Sequence, residues 1–321
     1  PAGNAAMNAS PQTEAIAAEV VRHEVSIPSD GETLRGWLYL PRNMAAGQKL
    51  PGIVTANALT GIKEINLPSY AERFAAAGYA TLVFDYRYWG QSSGEPRYHI
   101  APMEHHADIQ NALTYLAQRQ EVDATRIGGW GISMGGGHMI FLATWEPRFK
   151  AIVAVSTGIE PPVEGTPLTM QAAKARYDEL VAAGKVERAA RPGANITTQE
   201  AWCPQPRTGC VLPVKEAYDW YENARRTNAP TFENNLSSTS FKNMVADSVA
   251  FGIQFSQAPL LILQPENDVV PVENVLFYFK RAAAPKRLIV LPGLHTTTYE
   301  RGSNFETAAA ESIAWFDRYL R

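Results

Sequence analysis

Between Val20 and Leu40 apolar and polar residues alternate, first over Val20–Ile27 and again over Thr33–Leu40, on either side of Pro28-Ser29-Asp30-Gly31. A period of two flanking a turn signal predicts an antiparallel hairpin. The pattern then changes. Pro51–Ala56, Ala80–Phe84, Arg126–Gly131 and Ala151–Ser156 are short and nearly all apolar, as strands buried on both faces of a parallel sheet are. Between them lie stretches of helical period: Leu67–Ala77, stopped by Gly78, then Pro102–Gln118, and about Met134–Thr144. The alternation of strand and helix predicts an α/β doubly wound sheet.

After Ser156 the cadence stops for about ninety residues, too long for an ordinary connection in a compact domain. Three helical stretches are expected inside this insertion: Leu168–Ala183, Pro213–Thr227 and Phe241–Phe255. The cadence resumes with a strand at Pro259–Leu263, a helix at Val272–Ala284, a strand at Arg287–Leu291 and a closing helix at Phe305–Leu320. The division expected is a tail at 1–18, a core formed by 19–157 with 251–321, and a helical cap at 158–250.

Composition narrows the function classes. With 321 residues, 45% hydrophobic and 19% charged, the chain has the balance of a globular protein with a large buried core. The net charge of -3 comes from acids and bases mixed along the chain, so no basic stripe offers itself to phosphates and nucleic acid is not an expected partner. No apolar run reaches the roughly 18 to 20 residues that span a bilayer. The chain starts at Pro1 with an Ala/Asn/Pro/Gln-rich segment, so a soluble protein is expected, either cytoplasmic or exported after removal of a leader. The sequence leaves its compartment and oligomeric state open. The two cysteines, Cys203 and Cys210, fall in one loop-like stretch, as a small disulfide or as two thiols. No His or Cys spacing matches a metal site, and no metal or organic cofactor is expected.

The chemistry concentrates at Gly131-Ile132-Ser133-Met134-Gly135, a G-x-S-x-G element where an expected strand meets an expected helix. At such a junction a serine protrudes on a tight turn, and glycines are needed because neighbouring Cβ atoms would collide. The helix start also aims free amides and the positive dipole end at charge developing during acyl transfer. A base is expected on the loop after the last strand. His295, in Leu291-Pro292-Gly293-Leu294-His295, occupies that place. His23, His99, His105, His106 and His138 sit in worse positions. The acid should follow the preceding strand, where Glu266 and Asp268 compete. Asp268 is preferred because it leads through Val269-Val270-Pro271 into the next helix, whereas Glu266 has room to face solvent. The expected oxyanion donors are the amides of Met134 and of Leu59, in Asn57-Ala58-Leu59-Thr60-Gly61, each worth about 3 to 4 kcal/mol in the transition state.

These residues resemble the serine α/β-hydrolases related to dienelactone hydrolases and X-Pro dipeptidyl-peptidase-like proteins, over about Val20 to Leu320. Beyond the elbow, the Asp268 turn and the His295 loop, the matching segments are Ile27-Pro28-Ser29-Asp30-Gly31, Thr60-Gly61-Ile62-Lys63-Glu64 and Phe84-Asp85-Tyr86-Arg87 with Gly90 and Ser92. The resemblance implies an α/β-hydrolase fold with a mostly parallel sheet and an inserted helical cap. It does not fix a substrate. Relatives commonly carry His-Gly where this chain has Asn57-Ala58, and Gly where it has Tyr88. Dienelactone hydrolases use a cysteine nucleophile, and the true dipeptidyl peptidases carry a further C-terminal β-domain for which no residues follow the closing helix. Neither activity is expected. Ser133 excludes the dehalogenases and epoxide hydrolases, which use aspartate at this position.

The expected function is hydrolysis of a carboxylic ester, lactone or thioester of a partly apolar small molecule through an acyl-enzyme. Tyr88 and Trp89 are the expected pocket residues. The insertion's aromatics, Trp202, Tyr218, Trp220, Tyr221, Phe232 and Phe241, are expected mainly to form a small core of their own. Two other readings stand beside this one: an acyltransferase or biosynthetic thioesterase using the same triad, and a non-catalytic ligand-binding protein on the same fold.

Overall fold

The computed structural model describes residues 15, 16, 18–159, 198–237, 240, 252–283 and 285–321. An eight-stranded sheet runs through the molecule in the order β1-β2-β4-β3-β5-β6-β10-β11. Its strands are β1 (Val20–Ser29), β2 (Glu32–Pro41), β3 (Leu50–Ala56), β4 (Ala80–Phe84), β5 (Val122–Ile132), β6 (Phe149–Val155), β10 (Leu260–Pro265) and β11 (Lys286–Leu291). The β1–β2 hairpin and the β2–β4 pair are antiparallel, and every other pair is parallel. The expected doubly wound α/β-hydrolase architecture is therefore the observed one.

Side chains of a buried strand alternate between the two faces, and each face here meets helices. Helices α2 (Pro102–Ala117), α3 (Met134–Trp145) and α5 (Val272–Arg281) pack Leu113, Leu116, Met139, Ile140 and Val275 against Val54, Ile127 and Ile262. On the other face, α1 (Leu67–Ala76) and α6 (Phe305–Leu320) pack Tyr70, Phe74, Trp315 and Phe316 around Ile53, Trp130 and Val153. Trp130 anchors that layer, with its ring 4.3 Å from Tyr70 and its indole N–H donating to Ser312 Oγ at 3.2 Å.

The sheet order reverses at β3, whose chain-order successors β4 and β5 lie on its two sides. At such a switch point the loops leaving the C-terminal strand ends splay apart and open a crevice. The loop after β3 and the β5–α3 junction meet there.

Two buried ion pairs fix the loops that rim the crevice. The Lys63 ammonium lies against Asp85 Oδ2 at 3.1 Å, both side chains fully buried, while the Lys63 and Gln91 amides donate to the same carboxylate at 2.6 and 2.9 Å. Burial pushes the Asp85 carboxyl up to about 6, against the pull of the Lys63 charge. Arg87 pairs with Asp108 at 2.7 Å, and Ser29 donates to that carboxylate from the β1–β2 hairpin. These contacts explain the motifs at 63–64 and 84–87: they are braces between loops.

The stretch at 198–237 differs from expectation. It contains one helix, α4 (Lys215–Thr227), and a three-stranded sheet, β8 (Cys210–Leu212), β7 (Thr198–Trp202) and β9 (Asn235–Ser237), in that spatial order. The expected helix at Pro213–Thr227 is thus present, and the expectation of helices alone in the insertion is corrected at 198–237 by the small sheet, because strands of three to five residues are too short to register as a period of two. Cys203 and Cys210 form a disulfide beside this sheet. The expected helix Leu168–Ala183 lies outside the described residues, as does most of Phe241–Phe255, whose described end is a 3-10 turn at Ile253–Phe255.

Behind α3, three buried histidines contact one another. His106 Nε2 and His138 Nδ1 are 3.0 Å apart, and His105 stacks on Tyr86 at 4.5 Å. Burial holds all three below the usual imidazole range, His106 at about 4. Depressed folded-state values mean that the unfolded chain binds more protons once pH drops below about 6.5. Chemical denaturation from pH 7.5 to 4.5 should therefore show stability falling as pH falls through that window, and His106→Phe should flatten the slope. Lys63 Nζ also meets Glu64 Oε1 and Gln91 Oε1, each at 2.8 Å, so Asp85→Ala leaves the buried ammonium with one carboxylate and strips the Lys63 and Gln91 amides of their acceptor; it should cost about 1 to 3 kcal/mol in urea unfolding. A loss below about 1 kcal/mol would show that Glu64 and Gln91 hold Lys63 without Asp85.

Candidate functional site

The β5–α3 junction brings the chain back on itself very closely. A Cβ at Gly131 would lie 2.1 Å from the Gly135 carbonyl oxygen, and one at Gly135 would lie 2.1 Å from the Ala56 carbonyl oxygen of β3. Only glycine fits either place. Between them Ser133 adopts φ 54° and ψ -123°, a conformation that L-residues rarely hold. It is held by its neighbours: the Ser133 amide donates to Val155 O at 2.9 Å, while its carbonyl accepts from Gly136 and Gly158, each at 2.8 Å. The Ser133 side chain is thereby projected into the crevice at the N-terminus of α3.

His295 opens a 3-10 turn, His295–Thr298, after β11. Its carbonyl accepts from Ser156 Oγ at 2.9 Å, Tyr70 OH donates to Thr298 O at 2.5 Å, and Asn304 Nδ2 donates to Pro292 O at 2.6 Å. Held in this way, His295 Nε2 lies 3.0 Å from Ser133 Oγ and Nδ1 lies 2.6 Å from Asp268 Oδ1. The Asp268 carboxylate is fully buried and also accepts from the Val270 amide at 2.8 Å. Its loop is tied to the histidine loop by Asn267 N donating to Gly293 O at 3.0 Å. Glu266, the competing acid, is exposed.

The electrostatics of the imidazole follow from these partners. Burial alone pushes His295 down, but the charge and hydrogen bond of Asp268, helped by the charge of Glu216, outweigh it and leave the pKa above the ordinary histidine value. A carboxylate on Nδ1 fixes that nitrogen as the donor and leaves Nε2 facing the serine. The unbroken line from Ser133 to Asp268 can move a proton off the serine hydroxyl.

The Met134 and Leu59 amides donate to no acceptor among the described residues. The Leu59 loop is held by hydrogen bonds from within and from the inserted segment. Asn57 bridges its own turn by accepting from Ala58 N at 2.8 Å and donating to Ile62 O at 2.7 Å, and Thr60 has φ 64°. The Leu59 carbonyl accepts from Tyr221 OH at 2.7 Å, and Thr60 Oγ1 accepts from the Trp202 indole at 2.8 Å.

The structure does not bring Tyr88 and Trp89 to this cluster. Trp89 is a core residue, 2% exposed, whose indole N–H donates to His99 O at 2.8 Å. Tyr88 lies at its edge with its hydroxyl on Glu104. Residues missed by sequence reasoning stand closer. Tyr299 is buried, with its ring 5.4 Å from His295. Glu216 binds Thr296 next to His295. A residue four places after a turn histidine carries no sequence signal of its own. The insertion's aromatics mainly form their own core, with Trp202, Tyr221 and Phe232 in a parallel stack at 5.7 and 5.0 Å. Phe241 lies outside the described residues. Among the described residues no group of three or more His, Cys, Asp or Glu side chains is placed to hold a metal, and no helix is long and apolar enough to cross a membrane.

This geometry can be set beside known proteins. The sequence profile of the family described as X-Pro dipeptidyl-peptidase (S15 family) matches residues 30–297. Thiohydrolase aneE of Aspergillus aculeatus is 30% identical over 81% of each chain. Acyltransferase drtE of Aspergillus calidoustus is 28% identical over 91% of this chain and 93% of its own. The crystal structure of alpha/beta hydrolase GrgF from Penicillium sp. sh18 superposes with a TM-score of 0.75, at 24% identity, over 94% of this chain and 99% of that one.

The raised His295 value has a direct test. In NMR titration His295 should protonate above the ordinary imidazole midpoint of about 6.5, and Asp268→Asn should bring it down. By linkage its contribution to stability is complete below about pH 6.5 and is lost as pH rises through the folded value. A midpoint unmoved by Asp268→Asn would show that the carboxylate is not what holds the proton.

Proposed function

The chain belongs to the X-Pro dipeptidyl-peptidase (S15) family and is an enzyme of the serine-hydrolase type, and from that premise we propose that it cleaves a carboxylic ester, lactone or thioester of a partly apolar small molecule through an acyl-enzyme on Ser133. One observation carries the reading: a continuous hydrogen-bonded line, Ser133–His295–Asp268, ending on a strained turn at the switch point of the sheet. His295 Nε2 takes the serine proton as Oγ attacks the carbonyl carbon. Asp268 holds the ring and stabilises the imidazolium that forms. The oxyanion is received by the Met134 and Leu59 amides, whose N–H groups are fixed before substrate arrives and so pay no reorganisation during reaction. The proton then passes to the leaving alcohol or thiol, and a water activated by His295 releases the acid.

We assign the segment 158–250 the role of a cap. Its described part is bonded to both sides of the crevice, to Leu59 and Thr60 on one side and to Thr296 on the other. Family membership does not itself argue for peptide cleavage. A second reading, transfer of the acyl group to an alcohol or amine in place of water, is favoured by the similarity to a protein named as an acyltransferase, and that to a protein named as a thiohydrolase favours thioesters.

Wild type and Ser133→Ala should be compared on p-nitrophenyl esters from acetate to decanoate and on acyl thioesters, with and without added alcohols. Wild-type turnover should fall by about four orders of magnitude or more in the mutant, as when a triad serine is removed elsewhere. Turnover surviving in Ser133→Ala would sink the assignment. An ester product formed from added alcohol would move the reading to acyl transfer.

A further inference from the structure

The turn that carries His295 has an incomplete start. The first amides of any helical turn have no partner within it, and Leu294, the residue before this one, supplies no side-chain cap. The missing acceptor comes from a distant part of the chain. Glu216, in the first turn of α4, accepts from the Thr296 amide at 2.6 Å and from Thr296 Oγ1 at 2.5 Å. The same helix reaches further along both rims. Four residues on, the Trp220 ring stands edge-on to Tyr299 at 4.8 Å, and Tyr221 OH holds the Leu59 carbonyl.

We propose that Glu216 is a positioning residue for the reaction, a carboxylate lent by the inserted segment that caps the histidine turn and holds His295 in register with Ser133. This rests on the reading of Ser133 and His295 as nucleophile and base. An amide and a hydroxyl on a single carboxylate oxygen pin the turn directly after the histidine, so the ring cannot swing from Ser133 without breaking two charge-assisted hydrogen bonds. Glu216 also adds a second negative charge to the imidazole's surroundings. The groups facing His295 are Asp268 from the loop after β10, Glu216 from α4, Tyr299 from its own segment and Ser133 from the elbow. Burial pushes the imidazole down, and of the charges opposing it Asp268 is the stronger and Glu216 the weaker. The insertion is therefore coupled to the base through one side chain as well as lying over the crevice.

Two substitutions separate the charge from the bond. Glu216→Gln keeps an acceptor and removes the charge, whereas Glu216→Ala removes both. The readouts are the His295 titration midpoint by NMR, the dependence of kcat/KM on pH with a p-nitrophenyl ester, and the melting temperature. Glu216→Gln should lower the His295 midpoint, move the acidic limb of kcat/KM to lower pH, and keep kcat near wild type at the plateau. In Glu216→Ala the plateau kcat should fall roughly 10- to 100-fold, the cost of a misplaced group away from the reacting atoms, with KM little changed. Wild-type midpoint and kcat in both folded variants would overturn the proposal, even if the melting temperature dropped, because the contact would then be structural only. The NMR midpoint does not depend on the catalytic reading. If Ser133→Ala kept its activity while Glu216→Gln still lowered the midpoint, the function would be wrong and the coupling of Glu216 to His295 would stand.

Discussion

The close approach of β5, the turn at Ser133 and the start of α3 is the constraint on which the rest of the molecule depends. Two glycines with no room for a Cβ let α3 begin against β3, and the serine between them is forced to φ 54°. Such a conformation costs on the order of 1 to 3 kcal/mol and persists only where its surroundings over-determine it. Here the surroundings are the most buried strands of the sheet, with Val155 and Gly158 clasping the Ser133 backbone from β6 and the residues after it. The large two-sided core is thus what allows one hydroxyl to stand at the N-terminus of a helix. A smaller or looser sheet would let the turn relax and the serine withdraw.

A strained serine is of no use unless its partners arrive with similar accuracy, and they come from loops. Loops hold position only if their polar groups are satisfied. In this chain the work is divided among buried braces. Lys63–Asp85 and Arg87–Asp108 fix the rims near β3 and β4, and Ser156, Tyr70 and Asn304 fix the histidine turn. α4 then joins the two sides, with Tyr221 on the Leu59 carbonyl and Glu216 on Thr296. Each brace places a charged, hydroxyl or amide side chain against a backbone group of a loop. Preorganisation of the site and satisfaction of buried polar groups are here the same set of contacts.

This division explains what could be read from the sequence. Most core strands and helices appear within a residue or two of their observed ends because their apolar runs are set by burial on both faces, as at Ala80–Phe84 and Phe305–Leu320, whereas β5 starts four residues earlier and α5 stops three residues sooner than expected. That Ser133, Asp268 and His295 lie together was legible because chain order on this fold ties each to the end of a particular strand. The small sheet of β7, β8 and β9 was not, since three-residue strands such as Cys210–Leu212 are defined by pairing across the chain and leave no local period. Trp89 packs in the core with its indole N–H on His99 O, and the direction of an aromatic side chain from a loop leaves no mark in the sequence. Glu216 and Tyr299 were invisible for a similar reason. Their meaning lies in contacts made across 80 residues, or around one turn of irregular backbone.

The six histidines show how far environment decides chemistry in one chain. His105, His106 and His138 are buried beside one another, and burial keeps them neutral. His295 is buried too, yet Asp268 and Glu216 hold it above its ordinary value. The difference is the presence of fixed negative charge within the same low-dielectric interior, where a carboxylate acts more strongly than it would in water. The two groups therefore bound the working range from the same side. As pH falls the histidine cluster must take up protons that destabilise the fold, and His295 becomes charged, which in the proposed mechanism leaves it unable to accept one from Ser133. For His295 to act as a base the protein must work at neutral to alkaline pH, which is also where the packing behind α3 holds firmly.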